Sequence, residues 1–168
     1  MLWSIASVPV AFATSPVPEG VPAQYDDDDV PTYYYVLGDS GNALYYEGSG
    51  EDAKPVYGWM DFSTYRGWRI YHAECHVCHG PDGMGSTYAP ALKDSLDYLD
   101  YEGFIDVTVN GKNEEQGAQK GNVMPAFGTN PNVIRDLDNI YRYLSMRHDG
   151  KLRRGPRPPK LPKIVEEE

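Results

Sequence analysis

The sequence predicts an all-α domain with an N-terminal extension that carries a β-hairpin. Three features predict it: helical periodicity running into a pair of cysteines, a well-bounded terminal helix, and aromatic runs around a turn cluster near the N-terminus. At 168 residues the chain reads as one domain with appendages, not two domains. The boundaries fall as a signal-peptide remnant (1–13), an N-terminal extension (14–59), the main domain (60–150) and a basic, Pro-rich tail (151–168).

Composition narrows the function classes. Hydrophobic residues make up only 40%, with 17 Gly and 14 Pro, so the protein part of the core is modest. The net charge of −10 argues against a nucleic-acid partner. It suits steering toward a partner that carries a basic patch.

Leu2 to Val10 is a short apolar run, and Ala11-Phe12-Ala13 is an A-x-A cleavage pattern without a basic segment before it. Residues 1–13 therefore read as the end of a secretory signal, since a membrane span needs about 20 apolar residues. Residues 14–31, ending in Asp26-Asp27-Asp28-Asp29, read as a solvated, mobile leader. The carboxylate run lacks the interleaved glycine and carbonyl pattern of a calcium loop. Tyr33-Tyr34-Tyr35-Val36-Leu37 and Leu44-Tyr45-Tyr46 flank Gly38-Asp39-Ser40-Gly41-Asn42, which predicts a hairpin whose tyrosines pack on the domain.

The first helix starts after Asp61 or Ser63 as N-cap. Tyr65, Trp68, Tyr71 and Cys75 recur on one face, and Gly67 in its interior predicts close approach of another helix. Gly80 to Gly85 read as a tight loop, and Lys93–Leu99 as a short helix. Tyr101–Val109 is read as helix, although its β-branched residues also suit a strand. Residues 112–123 form a polar, Gly-rich loop. Asn130 as N-cap, Pro131 at N1 and Gly150 at the end bound the last helix. Its apolar face comprises Val133, Ile134, Leu137, Ile140, Tyr141 and Leu144. The tail carries Arg153, Arg154, Arg157 and Lys160, ends in Glu166-Glu167-Glu168, and reads as a solvated extension over the domain or a basic segment for an acidic partner.

The chemistry concentrates in Cys75-His76-Val77-Cys78-His79, a C-x-x-C-H motif that holds the only two cysteines. At this spacing two thiols can bond the two vinyl groups of one haem, and the following histidine can ligate the iron. Zinc would need four tetrahedral ligands, usually as two separated pairs, and no second pair follows. A redox dithiol would sit in a βαβ pattern that is absent here. A plain disulfide is the remaining alternative. Covalent haem c, attached through Cys75 and Cys78 with His79 on the iron, is the reading taken, and a buried haem would supply missing apolar surface.

A second axial ligand must come from chain that has passed around the haem edge. The candidates are Met84, Met124, His72, His76 and His148. Met84 follows His79 too closely at about 3.5 Å per residue. His76 lies between the cysteines, and His72 and His148 read as surface or packing residues. Met124 lies much further along, and Pro125 stiffens its loop. Met124 as ordinary core filler is the bland alternative. His/Met ligation raises the reduction potential and closes both axial positions, which implies a one-electron carrier and not an enzyme.

The pattern resembles class I cytochromes c across roughly residues 60–148. Gly67, Tyr71, Cys75, Cys78 and His79 match the family's first helix, Met124-Pro125 its axial methionine loop, and Ile140 and Tyr143 its terminal-helix crossing. The resemblance implies a cytochrome c fold and assigns Pro90 as the carbonyl that accepts the Nδ1 proton of His79. The stretches Thr64 to Gly83, Ser86 to Leu92, Val123 to Gly128 and Tyr141 to Leu144, with Arg153-Arg154-Gly155, are similar to the methanol-metabolism-related cytochromes c. That similarity implies a periplasmic carrier. Its donor would be a PQQ-dependent methanol or other alcohol dehydrogenase, including the lanthanide type, and its acceptor another cytochrome c or a terminal oxidase. A different respiratory donor, a haem enzyme or gas sensor with an open sixth position, and a non-haem interaction module are the rival readings.

Overall fold

In the computed structural model the described residues are 24–38, 43–113, 123–155 and 157–160. Residues 1–23, which include the stretch read as a signal remnant, and residues 39–42, 114–122, 156 and 161–168 lie outside them.

Of residues 14–31, read as a solvated leader, the described part keeps its aspartates exposed to solvent but is folded into a turn. Gln24–Tyr25 (β1) and Pro31–Thr32 (β2) pair antiparallel around the aspartates. Asp26 Oδ1 accepts from the amides of Asp28 and Val30, and Asp29 sits at φ 59°. One carboxylate thus replaces backbone partners in the turn, which is why an Asp run can fold here. The hairpin docks on the terminal helix: the Tyr25 hydroxyl donates to Asp138 at 2.6 Å, and Arg142 Nε donates to the Thr32 carbonyl at 3.0 Å.

The tyrosine hairpin is also corrected. Tyr35–Leu37 (β3) and Ala43–Glu47 (β4) do not pair with each other. Both pair antiparallel with Lys54–Met60 (β5), which lies between them. The true hairpin is β4–β5. Gly58 makes the closeness possible, because a Cβ there would lie 2.4 Å from the Val36 carbonyl oxygen. The tyrosines do pack inward: Tyr45 is buried edge-on to Tyr35, and the Tyr33 hydroxyl donates to Asp149.

Asp61 caps the first helix, accepting from the Thr64 amide at 2.9 Å. Helix α1 (Phe62–Ile70) widens into a π-helical turn over Tyr71–Cys75 and closes as α2 (His76–His79). Helix α3 is only Leu92–Ser95, shorter than expected. Tyr101–Asn110 is helix (α4), capped by Asp100, so burial of Phe104 and Thr108 prevails over the β-branched propensity. Lys112–Asn113 (β6) pairs with Val123–Met124 (β7).

The terminal helix is two pieces, α5 (Pro131–Arg135) and α6 (Leu137–His148), broken at Asp136 with φ −114° and ψ 19°. Asn130 caps the first, and Gly150 follows the second at φ 67°. Val133, Leu137, Ile140 and Leu144 are buried as expected, whereas Ile134 is 40% exposed. Helix α6 crosses α1 at Gly67, where a Cβ would lie 1.7 Å from the Asn139 carbonyl oxygen. The buried core of Tyr71, Ile140, Tyr143, Leu144 and Met146 gathers at this crossing.

The tail is strapped on. The Met60 amide donates to the Pro159 carbonyl, Arg153 N to the Leu44 carbonyl, and Leu152 is buried. Arg157 and Lys160 lie over the Tyr65 ring at 5.2 and 5.5 Å. Among the described residues no helix is long and apolar enough to cross a membrane.

Candidate haem site

A cavity of about 450 Å³ opens between α2, α3, α4 and β7, within the range of about 300–1,000 Å³ usual for small-molecule and cofactor sites. Its wall contains Cys75, Cys78, His79, Pro90 and Met124. Residues widely spaced in the sequence thus meet at one apolar cleft. Leu99, Phe104, Phe127 and Ile140 supply hydrophobic wall, while Tyr88 and Tyr98 stand at the exposed rim.

The π-helical turn presents the motif. Cys75 is half-buried and Cys78 exposed, and no disulfide joins them. Before haem is attached, burial pushes the Cys75 thiol up to about 12, helped by nearby Glu74 and Cys78. His79 is 6% exposed, and its Nδ1 lies 2.9 Å from the Pro90 carbonyl. A carbonyl only accepts, so Nδ1 carries the proton and Nε2 is left with its lone pair. Burial lowers the His79 pKa and keeps the imidazole neutral, although the Pro90 bond pulls the other way.

The loop after His79 is clamped from below. The Tyr71 hydroxyl donates to the Gly80 carbonyl at 2.6 Å and accepts from the Gly83 amide at 3.0 Å. Arg147, buried, donates to the carbonyls of Asp82 and Leu152. Periodicity marks Tyr71 only as an apolar position, and nothing in the sequence ties Arg147 to this loop.

The other sulfur and imidazole candidates are used elsewhere. Met84 Sδ lies 3.6 Å from Arg147 Nη2. His72 packs at a tilt against Trp68 and stacks on His76, and its Nδ1 meets the Trp68 carbonyl. His148 Nδ1 lies 2.8 Å from the Lys93 carbonyl. None of these lines the cavity, and Met124 does. Among the described residues no group of three or more His, Cys, Asp and Glu gathers as a metal site, so the zinc alternative has no ligand set there.

A family model described as cytochrome c oxidase, cbb3-type, subunit III matches residues 63–144. Cytochrome c-553I of Paracoccus denitrificans is 53% identical over 98 residues, 58% of this chain and 43% of that protein. Cytochrome c-555 of Methylococcus capsulatus is 35% identical over 97 residues, 57% of this chain and 72% of that protein. The matched stretch therefore spans less than half of the first relative's length and nearly three quarters of the second's. The crystal structure of the c-type cytochrome XoxG from Methylobacterium extorquens AM1 superposes with a TM-score of 0.63 at 44% identity, covering 84% of this chain and 74% of that one. Fold, site and relatives define a haem-bearing electron carrier. The chain belongs to the c-type cytochromes, with a mostly helical domain, a small antiparallel sheet before it, and one covalent haem c at the Cys75, Cys78 and His79 motif.

The residues present fit that group. Two thiols, a neutral buried imidazole with Nε2 free, and a thioether share one apolar cavity. Bound there, haem supplies a one-electron Fe(III)/Fe(II) couple. The chain contributes attachment, imidazole orientation and an apolar wall that limits water.

Proposed function

We propose that this cytochrome is a periplasmic carrier that takes electrons singly from a PQQ-dependent methanol or other alcohol dehydrogenase. It passes them to another cytochrome c or a terminal oxidase. His79 and Met124 are the axial ligands, Cys75 and Cys78 the thioether anchors, and Pro90 the acceptor that orients His79. The observation that carries the ligand set is the convergence of these residues on one cavity, with Met84, His72 and His148 held elsewhere and His76 Nδ1 2.6 Å from the His72 carbonyl.

Support for the dehydrogenase as donor comes from the likeness to XoxG and from the motif stretches shared with methanol-metabolism-related cytochromes. Residues 1–13, read as the end of a signal, support export to the periplasm. The net charge of −10 supports electrostatic guidance by a partner's basic surface.

The test is stopped-flow reduction of the oxidised holoprotein by a PQQ alcohol dehydrogenase at several salt concentrations. The expected result is fast reduction that slows as salt screens the encounter, over a Debye length of about 10 Å at 0.1 M. A low-spin haem that this donor leaves oxidised would reassign the donor.

A further inference from the structure

The chain brings Met124 to the cavity on a short loop seated on the end of α4. Two amides of that loop cap α4: Phe127 N donates to the Thr108 carbonyl and Gly128 N to the Val109 carbonyl, each at 3.0 Å. These carbonyls lie in the last turn, where helices leave acceptors unsatisfied. On the other side, Lys112 pairs with Met124 in the β6–β7 ladder. Between the two attachments stands Gly111, at φ 76° and ψ 178°, a conformation essentially confined to glycine. A Cβ there would lie 2.6 Å from the Met124 carbonyl oxygen, 2.8 Å from the Ala126 nitrogen and 3.0 Å from the Pro125 carbonyl carbon. All three are backbone atoms of the methionine loop, so no side-chain rotation relieves the clash.

We propose that Gly111 is a positioning residue for the axial sulfur: its missing side chain lets the Met124–Pro125–Ala126 backbone seat on α4 and sets the reach of the thioether into the cavity. This rests on the reading of Met124 as the axial ligand. A side chain at position 111 has to displace one of two partners. Helix α4 is anchored by buried Phe104 and Thr108, whereas Pro125 and Ala126 are exposed. The loop therefore moves, and Met124 moves with it. Gly128 is a milder version of the same fit, because its Cβ would lie 3.0 Å from the Val109 carbonyl oxygen.

The experiment compares four matured holoproteins: Gly111→Ala, Gly128→Ala, Gly150→Ala and Met124→Ala. Gly150 also has positive φ, but a Cβ there meets nothing within 4 Å, so it reports backbone strain without loop displacement. Three readouts are taken: the sulfur-to-iron charge-transfer band of the ferric protein, the potential by protein-film voltammetry, and imidazole affinity. Met124→Ala is expected to lose the band and lower the potential. Gly111→Ala is expected to weaken or lose the band, lower the potential, and bind imidazole about tenfold or more tightly. Gly150→Ala keeps the wild-type values in all three. A wild-type band and imidazole affinity in Gly111→Ala, with the band lost in Met124→Ala, would overturn the positioning role alone. Retention of band and potential in Met124→Ala would overturn the ligand reading, and this proposal with it. If Gly111→Ala fails to mature, Gly128→Ala decides, and an unchanged band there overturns the proposal.

Discussion

One phenol holds both ends of the turn that follows His79. Tyr71 is fully buried, and its hydroxyl serves the Gly80 carbonyl and the Gly83 amide together. Removing that oxygen leaves two buried backbone groups without their partner. Tyr71→Phe is expected to destabilise the holoprotein by about 1–3 kcal/mol, read as a shift in the denaturant midpoint. No loss of stability would show that the turn holds itself. The apolar role of Tyr71 was legible from its spacing with Tyr65 and Trp68. Its polar role was not, because the spacing locates a helix face and not the path of the chain that folds back under it.

At the scale of elements, the α1–α6 crossing was legible from a single residue. Gly67 inside a helical pattern implied a close neighbour, and the Asn139 backbone is that neighbour. The lock beside it was not legible. Asp136 breaks the terminal helix and is fully buried. It accepts from Arg66 Nη2 on α1 at 2.8 Å, from Asn139 Nδ2 at 2.8 Å and from Arg135 Nε at 3.1 Å. Burial alone would raise its pKa, but these bonds outweigh burial and hold the carboxyl below the ordinary aspartate value. The native state therefore binds this proton less readily than the unfolded chain does. Its stabilising contribution is complete above the ordinary aspartate range, about pH 4, and is lost as pH falls through the lower folded-state value. Asp136→Asn is expected to unfold more readily at neutral pH and to lose less stability on acidification. Parallel stability–pH curves for the two proteins would refute that role.

Across the whole molecule, the extensions serve as cladding for the cytochrome core. The β1–β2 hairpin rests on α6, and the tail crosses the sheet and covers Tyr65. Deleting the chain from Lys151 onward removes buried Leu152 and the two cations over Tyr65. The expected loss is about 2 kcal/mol or more, seen as a lower Tm with an unchanged haem spectrum. An unchanged Tm would make the tail a passenger. The sequence suggested a solvated extension over the domain, and the described tail does lie over it. Burial of Leu152 and the aromatic face of Tyr65 beneath the cations are not registered by counting charge.

The sequence by itself determined the haem motif, the helical domain and its Gly67 crossing, and the choice of Met124 among five side chains as the sulfur to look for. Those features depend on short-range rules: thiol spacing, helical period, capping residues and the stiffness of a proline. Only the tertiary structure decided which strands pair, that β5 lies between β3 and β4, that the aspartates fold into a turn, and that Gly111 lies against the methionine loop. Each of these is a contact between distant segments. Whether such segments meet depends on how the whole chain packs its apolar faces, and no local pattern carries that information.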